Sequence, residues 1–254
     1  MRIILPKESL QGRRITISGD NARYLTSVLR CNVGDELEIL DGKGGSYKSR
    51  IIGIENKNVV ADIFEESFIN TESPLNLILI QGILKGEKMD MVIQKTTELG
   101  IKEIIPAITE RSQIRQTRKV QRWRKIAEEA ARQSGRSMVP VVREPIELRA
   151  LLKPTGHGET GTQRNGEMKG FILWEEGGLP LKDAILKISF SQIRPFTDSP
   201  IHVLIGPEGG FTKEEIDIAS SKGLTITSLG RRILRAETAA ISAVTLIQYL
   251  LGDI

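Results

Sequence analysis

Two glycine-bearing segments have the residue types expected of a site that holds a ligand through its backbone. The first segment is LIGPEGGFT, residues 204–212, in which three glycines, a proline and Glu208 follow an apolar run. Glycine lacks a Cβ, so the amides and carbonyls around it can approach a ligand closely. Ligands of open α/β sheets bind beyond the carboxyl ends of the strands. Taken alone, this segment is equally compatible with an ordinary tight turn between a strand and a helix.

The second segment is LGRRILRAETA, residues 229–239, which leads into the apolar run of residues 239–251. It combines a glycine at a predicted strand end with three arginines, followed by Glu237 and Thr238 at a predicted helix start. A carboxylate and a hydroxyl at that position can satisfy free backbone amides, so helix capping alone could explain these two residues. Arg235 has no such structural explanation. The two segments together favour one ligand site.

The elements around these segments alternate between strands and helices from residue 75 onward. Helical periodicity predicts helices near residues 118–134, 181–188 and 213–221, and Thr212 with Glu215 has the spacing of a capping box. Apolar runs predict strands at residues 75–81, 104–107, 139–142, 171–174, 202–205 and 225–228. This alternation is typical of an α/β domain with a mainly parallel sheet, which we assign to residues 75–254.

Residues 1–70 predict a small β-rich domain, because short strand-like runs are separated by turn signals. One helix is predicted at residues 21–30, starting from Ser18 or Asp20. Residues 153–170 predict an exposed loop. Within it, GHGETG matches the dinucleotide-binding pattern G-x-G-x-x-G, but no predicted strand precedes it and no predicted helix follows it. We therefore interpret this match as a plain loop.

The composition limits the class of protein. The chain has 254 residues, of which 39% are hydrophobic and 27% are charged, as in ordinary globular proteins. A single cysteine, Cys31, cannot form an intrachain disulfide or a thiolate zinc cluster. We expect a cytoplasmic protein without a secretory signal and without a bound metal. The apolar run of residues 239–251 is shorter than the roughly 20 residues that cross a bilayer.

Basic residues are concentrated in one part of the chain. Residues 111–136 contain nine lysines and arginines but only two acidic residues. Four of the nine fall on one helical stripe, which either is a solvated helix face or binds phosphates; we favour phosphate binding by an RNA partner. The predicted RNA-binding residues are Arg13, Arg14, Arg23, Arg30, Lys85, Arg111, Arg118, Arg122, Lys125, Arg132 and Arg136.

The order of these segments resembles the RsmE family of ribosomal RNA methyltransferases, which belongs to the SPOUT (trefoil-knot) superfamily. The segments that carry the resemblance are KGEKMDMVIQKTTELG from Lys85, ERSQ from Glu110, RWRKIAEEAARQSGR from Arg122, IGPEGGFT and LGRRILRAETA. The resemblance covers essentially the whole chain and is weakest in residues 1–70 and 153–170.

The resemblance implies a PUA-like β-barrel at residues 1–70 and a SPOUT domain whose last strands and helix form a trefoil knot. It implies a homodimer that transfers a methyl group from S-adenosylmethionine to N3 of one uridine in 16S ribosomal RNA. The substrate is either the free RNA or a small-subunit particle, and we favour the particle. The implied cofactor-binding residues lie in three loops: Leu173, Trp174, Glu175, Ile205, Gly206, Pro207, Glu208, Gly209, Gly210, Leu229, Gly230, Ile233, Leu234, Arg235 and Thr238.

Methylation at this position needs a group that deals with the proton on N3 of neutral uracil. Either a general base removes the proton, or electrostatic stabilisation lowers the energy of the developing anion. Glu208 and Glu237 are the candidate bases, and Arg235 is the candidate for stabilising the anion. We interpret His157 and His202 as structural. Attack by a ring nitrogen does not need a thiol nucleophile.

Two other functions are compatible with the sequence. One is a SPOUT methyltransferase that acts on another RNA position, such as a ribose 2′-hydroxyl. The other is a non-catalytic RNA-binding protein that keeps the fold without turnover. A nucleotide-binding Rossmann enzyme is disfavoured by the poor context of the GHGETG match.

Overall fold

The computed structural model describes residues 1–55, 57–68, 71–153, 168–191, 199–252 and 254. The chain forms two compact units, Met1–Glu72 with Ala131–Val139, and Ser73–Ala130 with Pro140–Ile254. The assignment of residues 131–139 to the first unit was not predicted from the sequence, because their first four residues are the end of a helix that begins in the second unit. Most of the predicted loop at residues 153–170, including GHGETG and His157, lies outside the described residues.

The first unit is built on a five-stranded mixed sheet with the order β1-β3-β4-β5-β2. Strands β1 and β3 are parallel, and the other pairs are antiparallel. Helix α1 continues as a π-helical turn over Tyr24–Val28, so the helix predicted at residues 21–30 begins and ends earlier. The elements are β1 (Arg2–Ile4), β2 (Arg14–Ile17), α1 (Gly19–Arg23), β3 (Glu36–Leu40), β4 (Gly45–Glu55) and β5 (Asn58–Phe68).

Strand periodicity of two residues creates the core of this unit. In β2, Ile15 and Ile17 are buried while Arg14 and Thr16 are exposed, as the alternation of side chains across a strand requires. The thiol of Cys31 lies in the same core, 3.0 Å from the sulfur of Met1. Burial raises the pKa of the Cys31 thiol, which keeps it in the unreactive protonated form.

Residues 131–139 are held in the first unit by a buried ion pair between Arg136 and Glu72. Their side chains are only 5% and 7% exposed, and Arg136 Nε donates to Glu72 Oε2 at 3.1 Å. The backbone amide of Met138 donates to the same carboxylate at 2.9 Å. The prediction that Arg136 binds RNA is therefore wrong, because its guanidinium is buried against the carboxylate of Glu72 and cannot reach a phosphate.

The second unit is built on an eight-stranded parallel sheet with the order β11-β13-β10-β12-β6-β7-β8, and β9 also pairs with β7. This confirms the predicted α/β class with a mainly parallel sheet. The elements are β6 (Leu77–Gly82), α2 (Lys88–Glu98), β7 (Glu103–Ile108), α3 (Val120–Ser134), β8 (Val141–Val142), β9 (Ile146–Glu147), α4 (Leu148–Leu151), β10 (Gly170–Leu173), β11 (Leu179–Pro180), α5 (Leu181–Ser191), β12 (Ile201–Ile205), α6 (Lys213–Ser221), β13 (Leu224–Ser228) and α7 (Ala236–Leu251).

The central strands of this sheet are covered on both faces. All five residues of β12 are buried, which is why the strand reads as a continuous apolar run instead of an alternating one. Helix α7 is fastened to the unit by Gln248, whose side chain accepts from Ser73 Oγ and donates to the carbonyl of Leu99, both at 2.8 Å. None of the described helices is both long enough and apolar enough to span a bilayer.

The Arg136–Glu72 pair leads to a stability prediction. Replacing Glu72→Gln leaves the buried guanidinium without a counter-charge, so we expect the free energy of unfolding of the first unit to fall by about 3–5 kcal/mol. Urea unfolding followed by circular dichroism measures the change. The control is Glu36→Gln, which breaks the exposed pair between Glu36 and Arg50 and should leave the midpoint nearly unchanged. Equal effects of the two substitutions would contradict the assignment.

Candidate functional site

Three segments of the second unit meet where β10, β12 and β13 end. They surround a cavity of 580 Å³, a volume within the usual range for pockets that hold small molecules and cofactors. The structure brings most of the predicted site residues to its wall: Leu173, Trp174, Glu175, Ile205, Gly206, Pro207, Glu208, Gly210, Leu229, Gly230, Ile233, Leu234, Arg235 and Glu237.

Two predicted cofactor-binding residues are not on the cavity wall. The carbonyl of Gly209 accepts a hydrogen bond from Arg111 Nη1 at 3.1 Å, and its Cα faces the Arg111 side chain. Thr238 is exposed in the first turn of α7. Both belong to loops that the resemblance implies for the cofactor, but neither is part of the wall.

Several residues of the cavity wall were not predicted from the sequence. Most of them are neighbours in sequence of predicted residues. Arg231 and Arg232 belong to the arginine cluster noted in the sequence, but no role was predicted for their side chains. Lys88 belongs to α2, far away in sequence, and only its place in the KGEKMDMVIQKTTELG segment pointed to it. The missed residues are Lys88, Phe211, Ser228, Arg231, Arg232, Ala236 and Ala239.

The loop after β12 requires glycine at two of its positions. The amide of Gly210 donates to the carbonyl of Pro207 at 2.9 Å, and Gly210 has a φ of +68°, which favours glycine. A Cβ at Gly210 would lie 2.5 Å from Glu175 Oε1, and one at Gly206 would lie 3.2 Å from the carbonyl carbon of Gly210. The carbonyl of Gly206 also accepts from Gln81 Nε2 at 3.3 Å. The loop is therefore tightly folded with its backbone on the cavity wall.

The same loop ends in the predicted capping box of α6. The amide of Glu215 donates to Thr212 Oγ1 at 3.3 Å, and the amide of Thr212 donates to Glu215 Oε2 at 2.9 Å. The other carboxylate oxygen of Glu215 accepts from the amide of Glu110 at 2.8 Å. One carboxylate therefore caps the helix and also fastens the ERSQ segment beside the loop.

Two groups hold the carboxylate of Glu208: the backbone amide of Lys85, just before α2, and the ammonium of Lys88, the first residue of α2. Glu208 Oε1 accepts from the amide of Lys85 at 3.0 Å and from Lys88 Nζ at 3.3 Å. Burial alone would raise the pKa of this carboxyl, but the Lys85 amide and the Lys88 ammonium outweigh burial and lower it below its ordinary value. A carboxylate with a lowered pKa is a weak base. This geometry favours a role in fixing the loop over the predicted role as a general base.

Arg235 and Glu237 reach the cavity from the start of α7. Arg235 occupies the N-cap position without a side-chain capping bond, and its side chain is exposed at the cavity. Glu237 is only 8% exposed, and its Oε2 has no hydrogen-bond partner among the described residues. A buried carboxylate oxygen without a partner is uncommon in folded proteins and is often part of a functional site. Capping alone does not explain this residue.

The basic residues of the second unit differ in how free they are to bind phosphate. Helix α3 begins at Val120, so Arg118 precedes the helix and the predicted stripe is shorter than expected. Arg122 Nε forms an ion pair with Asp90 Oδ2 at 2.9 Å but remains 61% exposed. The other predicted RNA-binding residues of this unit are exposed: Lys85, Arg111, Arg118 and Lys125.

Two of the predicted RNA-binding residues of the first unit have partners within it. Arg14 forms an ion pair with Asp62 at 3.1 Å. The guanidinium of Arg132 lies 4.1 Å from the centre of the Tyr24 ring, which leaves it half-buried in a cation–π contact. The remaining predicted RNA-binding residues of this unit, apart from Arg136, are exposed: Arg13, Arg23 and Arg30.

His202 is buried in β12, where its Nδ1 lies 3.2 Å from the carbonyl of Lys169. Burial lowers the pKa of this imidazole, so it stays neutral at physiological pH. The position agrees with a structural role. Across the described ranges of the chain, no group of three or more His, Cys, Asp or Glu side chains is arranged to hold a metal ion.

Comparison with protein families defines the class to which this fold and site belong. Residues 71–248 match a family described as the RNA methyltransferase domain. Residues 17–64 match a family described as the RNA methyltransferase PUA domain. The first match includes the whole cavity, and the second lies within the mixed sheet of the first unit.

Individual relatives narrow the class. Ribosomal RNA small subunit methyltransferase E of Buchnera aphidicola subsp. Acyrthosiphon pisum is 34% identical over 93% of this chain and 88% of that protein. The Rickettsia conorii protein of the same name is 32% identical over 98% of this chain and 95% of that protein. The structure of the Neisseria gonorrhoeae protein of this name, bound to S-adenosyl methionine, has a TM-score of 0.84 at 32% identity, covering 100% of this chain and 98% of that chain. The chain belongs to the ribosomal RNA small subunit methyltransferase E family, which confirms the predicted resemblance.

The lowered pKa of Glu208 leads to a prediction about pH. Its ionised form stabilises the second unit; this contribution is present above the ordinary carboxyl pKa and is lost as the pH falls through the lowered pKa of the folded state. We expect Glu208→Gln to destabilise the unit by about 1 kcal/mol at neutral pH and to match the parent in acid. Thermal unfolding across pH measures the difference. The control is Glu176→Gln, at an exposed carboxylate. A difference that does not change with pH would contradict the account.

Proposed function

We propose that this chain transfers the methyl group of S-adenosylmethionine to N3 of a uridine in 16S ribosomal RNA. The observation that carries the proposal is the cavity at the ends of three neighbouring parallel strands, whose wall includes two glycine-bearing loops and four basic residues. The family provides the reaction class, and a relative that binds S-adenosyl methionine supports the cofactor.

The residues of the cavity fit this cofactor. The loop of residues 206–210 brings backbone groups to the wall because Gly210 and Gly206 have no room for side chains. Residues 229–234 line the same cavity, and Leu173 with Ile205 adds apolar surface. We propose that these groups hold the cofactor. S-adenosylmethionine supplies an electrophilic methyl group on a sulfonium centre.

The chain's own residues would then prepare the base. We assign the general base to Glu237, because its carboxylate lies at the cavity with an oxygen that has no partner among the described residues. The alternative base, Glu208, already accepts hydrogen bonds from the Lys85 amide and the Lys88 ammonium. Glu237 accepts the proton from uracil N3, and the guanidinium of Arg235 stabilises the negative charge left on the ring.

The RNA and the oligomeric state are part of the same proposal. We propose that the exposed Arg13, Arg23 and Arg30 of the first unit contact the RNA, and that a small-subunit particle in the cytoplasm is the substrate. We also propose a homodimer. Its support is the exposed apolar pair Leu246 and Tyr249, which lie one turn apart on α7 and are 40% and 68% exposed.

Methyl-transfer kinetics test the proposal. We expect the parent to methylate 16S ribosomal RNA that lacks the modification, and nucleoside mass spectrometry to identify 3-methyluridine. Arg235→Ala should lower kcat by about 10²–10³-fold, and Glu237→Gln by about 10²–10⁴-fold, since each loses a group that acts on the reacting base. Calorimetry should show that both variants still bind S-adenosylmethionine.

The control is Asp217→Asn, at an exposed carboxylate of α6, which should keep full activity. A methylated ribose 2′-hydroxyl would replace the proposed reaction with the alternative one. A parent protein that fails to bind S-adenosylmethionine would favour a non-catalytic RNA-binding role. Full activity of Glu237→Gln would remove this residue from the mechanism.

A further inference from the structure

Three consecutive side chains at the cavity opening have no role in the site described so far. Arg231, Arg232 and Ile233 are all exposed, and Ile233 is 83% exposed, an unusual position for a branched apolar side chain. Among the described residues, no ion-pair or hydrogen-bond partner is found for the side chains of Arg231 and Arg232. All three nevertheless line the cavity.

The charge around the opening points to an anionic ligand. Lys88, Arg231, Arg232 and Arg235 all line the cavity. Three carboxylates line it as well, Glu175, Glu208 and Glu237, and Glu208 is paired with Lys88. The four cations outnumber the three carboxylates of the wall by one, and neither Arg231 nor Arg232 forms an ion pair with a described residue. Arginine forms paired hydrogen bonds with phosphate, so these two side chains suit an anionic ligand.

The chemistry of the target atom adds a geometric requirement. N3 lies on the Watson–Crick edge of uracil, so a paired and stacked base cannot present it to a cavity. Enzymes that act on a base take it out of the stack, and apolar side chains can occupy the space beside the neighbouring bases. Ile233 is exposed, follows the two arginines in sequence and lines the cavity, so it has the position and the chemistry for this task.

We propose that Arg231 and Arg232 bind the RNA phosphates beside the target nucleotide, while Ile233 contacts the face of the base next to it. This inference rests on the proposed function and identifies the part of that site which recognises the substrate. The backbone of residues 229–234 faces the cofactor, and the side chains of residues 231–233 face the RNA. One irregular segment therefore contacts both reactants.

A second copy of the chain is a less suitable occupant of this segment. A symmetric contact centred on it would bring two pairs of arginines together, and like charges that lose their water repel each other. The apolar surface of Leu246 and Tyr249 on α7 offers a contact without that cost.

The salt dependence of RNA binding tests the proposal. We expect the Arg231→Ala/Arg232→Ala double variant to bind in-vitro-transcribed 16S ribosomal RNA with a slope of log Kd against log salt that is smaller by about 1.4, or about 0.7 for each lost phosphate contact. The control is Lys182→Ala/Lys187→Ala, which removes two exposed charges from α5 and should keep the parent's slope. We expect Ile233→Ala to raise KM for RNA by about tenfold and to leave the salt slope unchanged.

Four results would overturn the inference. The first is an equal loss of slope in the control, because the effect would then be general electrostatics. The second is lost affinity for S-adenosylmethionine in the variants, because the side chains would then serve the cofactor. The third is a changed sedimentation coefficient, because the segment would then be a contact between copies. A parent that methylates RNA while the double variant keeps its slope refutes this inference alone, whereas a parent that methylates no ribosomal RNA refutes the proposed function.

Discussion

The side-by-side placement of β12, β10 and β13 is the constraint on which the whole site depends. Strand β10 pairs in parallel with both neighbours, so that Phe171 lies beside Val203 on one side and Thr225 on the other. All three strands therefore end at the same edge of the sheet, and the segments that follow them must meet there. The cavity is a consequence of this pairing, because its wall comes from three segments far apart in sequence.

Long-range hydrogen bonds then fix the shape of the wall. The loop after β12 is held at Glu208 by Lys85 and Lys88, and at the carbonyl of Gly209 by Arg111. Two of these side chains, Glu208 and Arg111, were predicted to act on a substrate, yet in the structure they also position a backbone. We therefore propose that the fixed loops serve the cofactor. Glu237, whose Oε2 has no partner among the described residues, and the exposed Arg235 would serve the reacting base.

Local sequence patterns predicted the features that depend on local interactions. The strand ends, the alternation of strands and helices and the capping box of Thr212 and Glu215 all follow from residue spacing. The insertion of β10 between β12 and β13 could not be predicted in this way, because strand order depends on pairing across the whole unit. The burial of Arg136 was missed for the same reason, since its partner Glu72 is distant in sequence. A trefoil knot follows from the resemblance alone, because local patterns do not encode chain threading.

The central claim is that two segments separated in sequence form one cofactor site. A crystal structure of the chain soaked with S-adenosylmethionine tests it most directly. The account predicts the cofactor in the cavity of 580 Å³, with backbone atoms of residues 206–210 and of residues 229–234 both within hydrogen-bond distance, about 3 Å, of it. A cofactor bound elsewhere, or one that contacts only one of the two segments, would contradict the account.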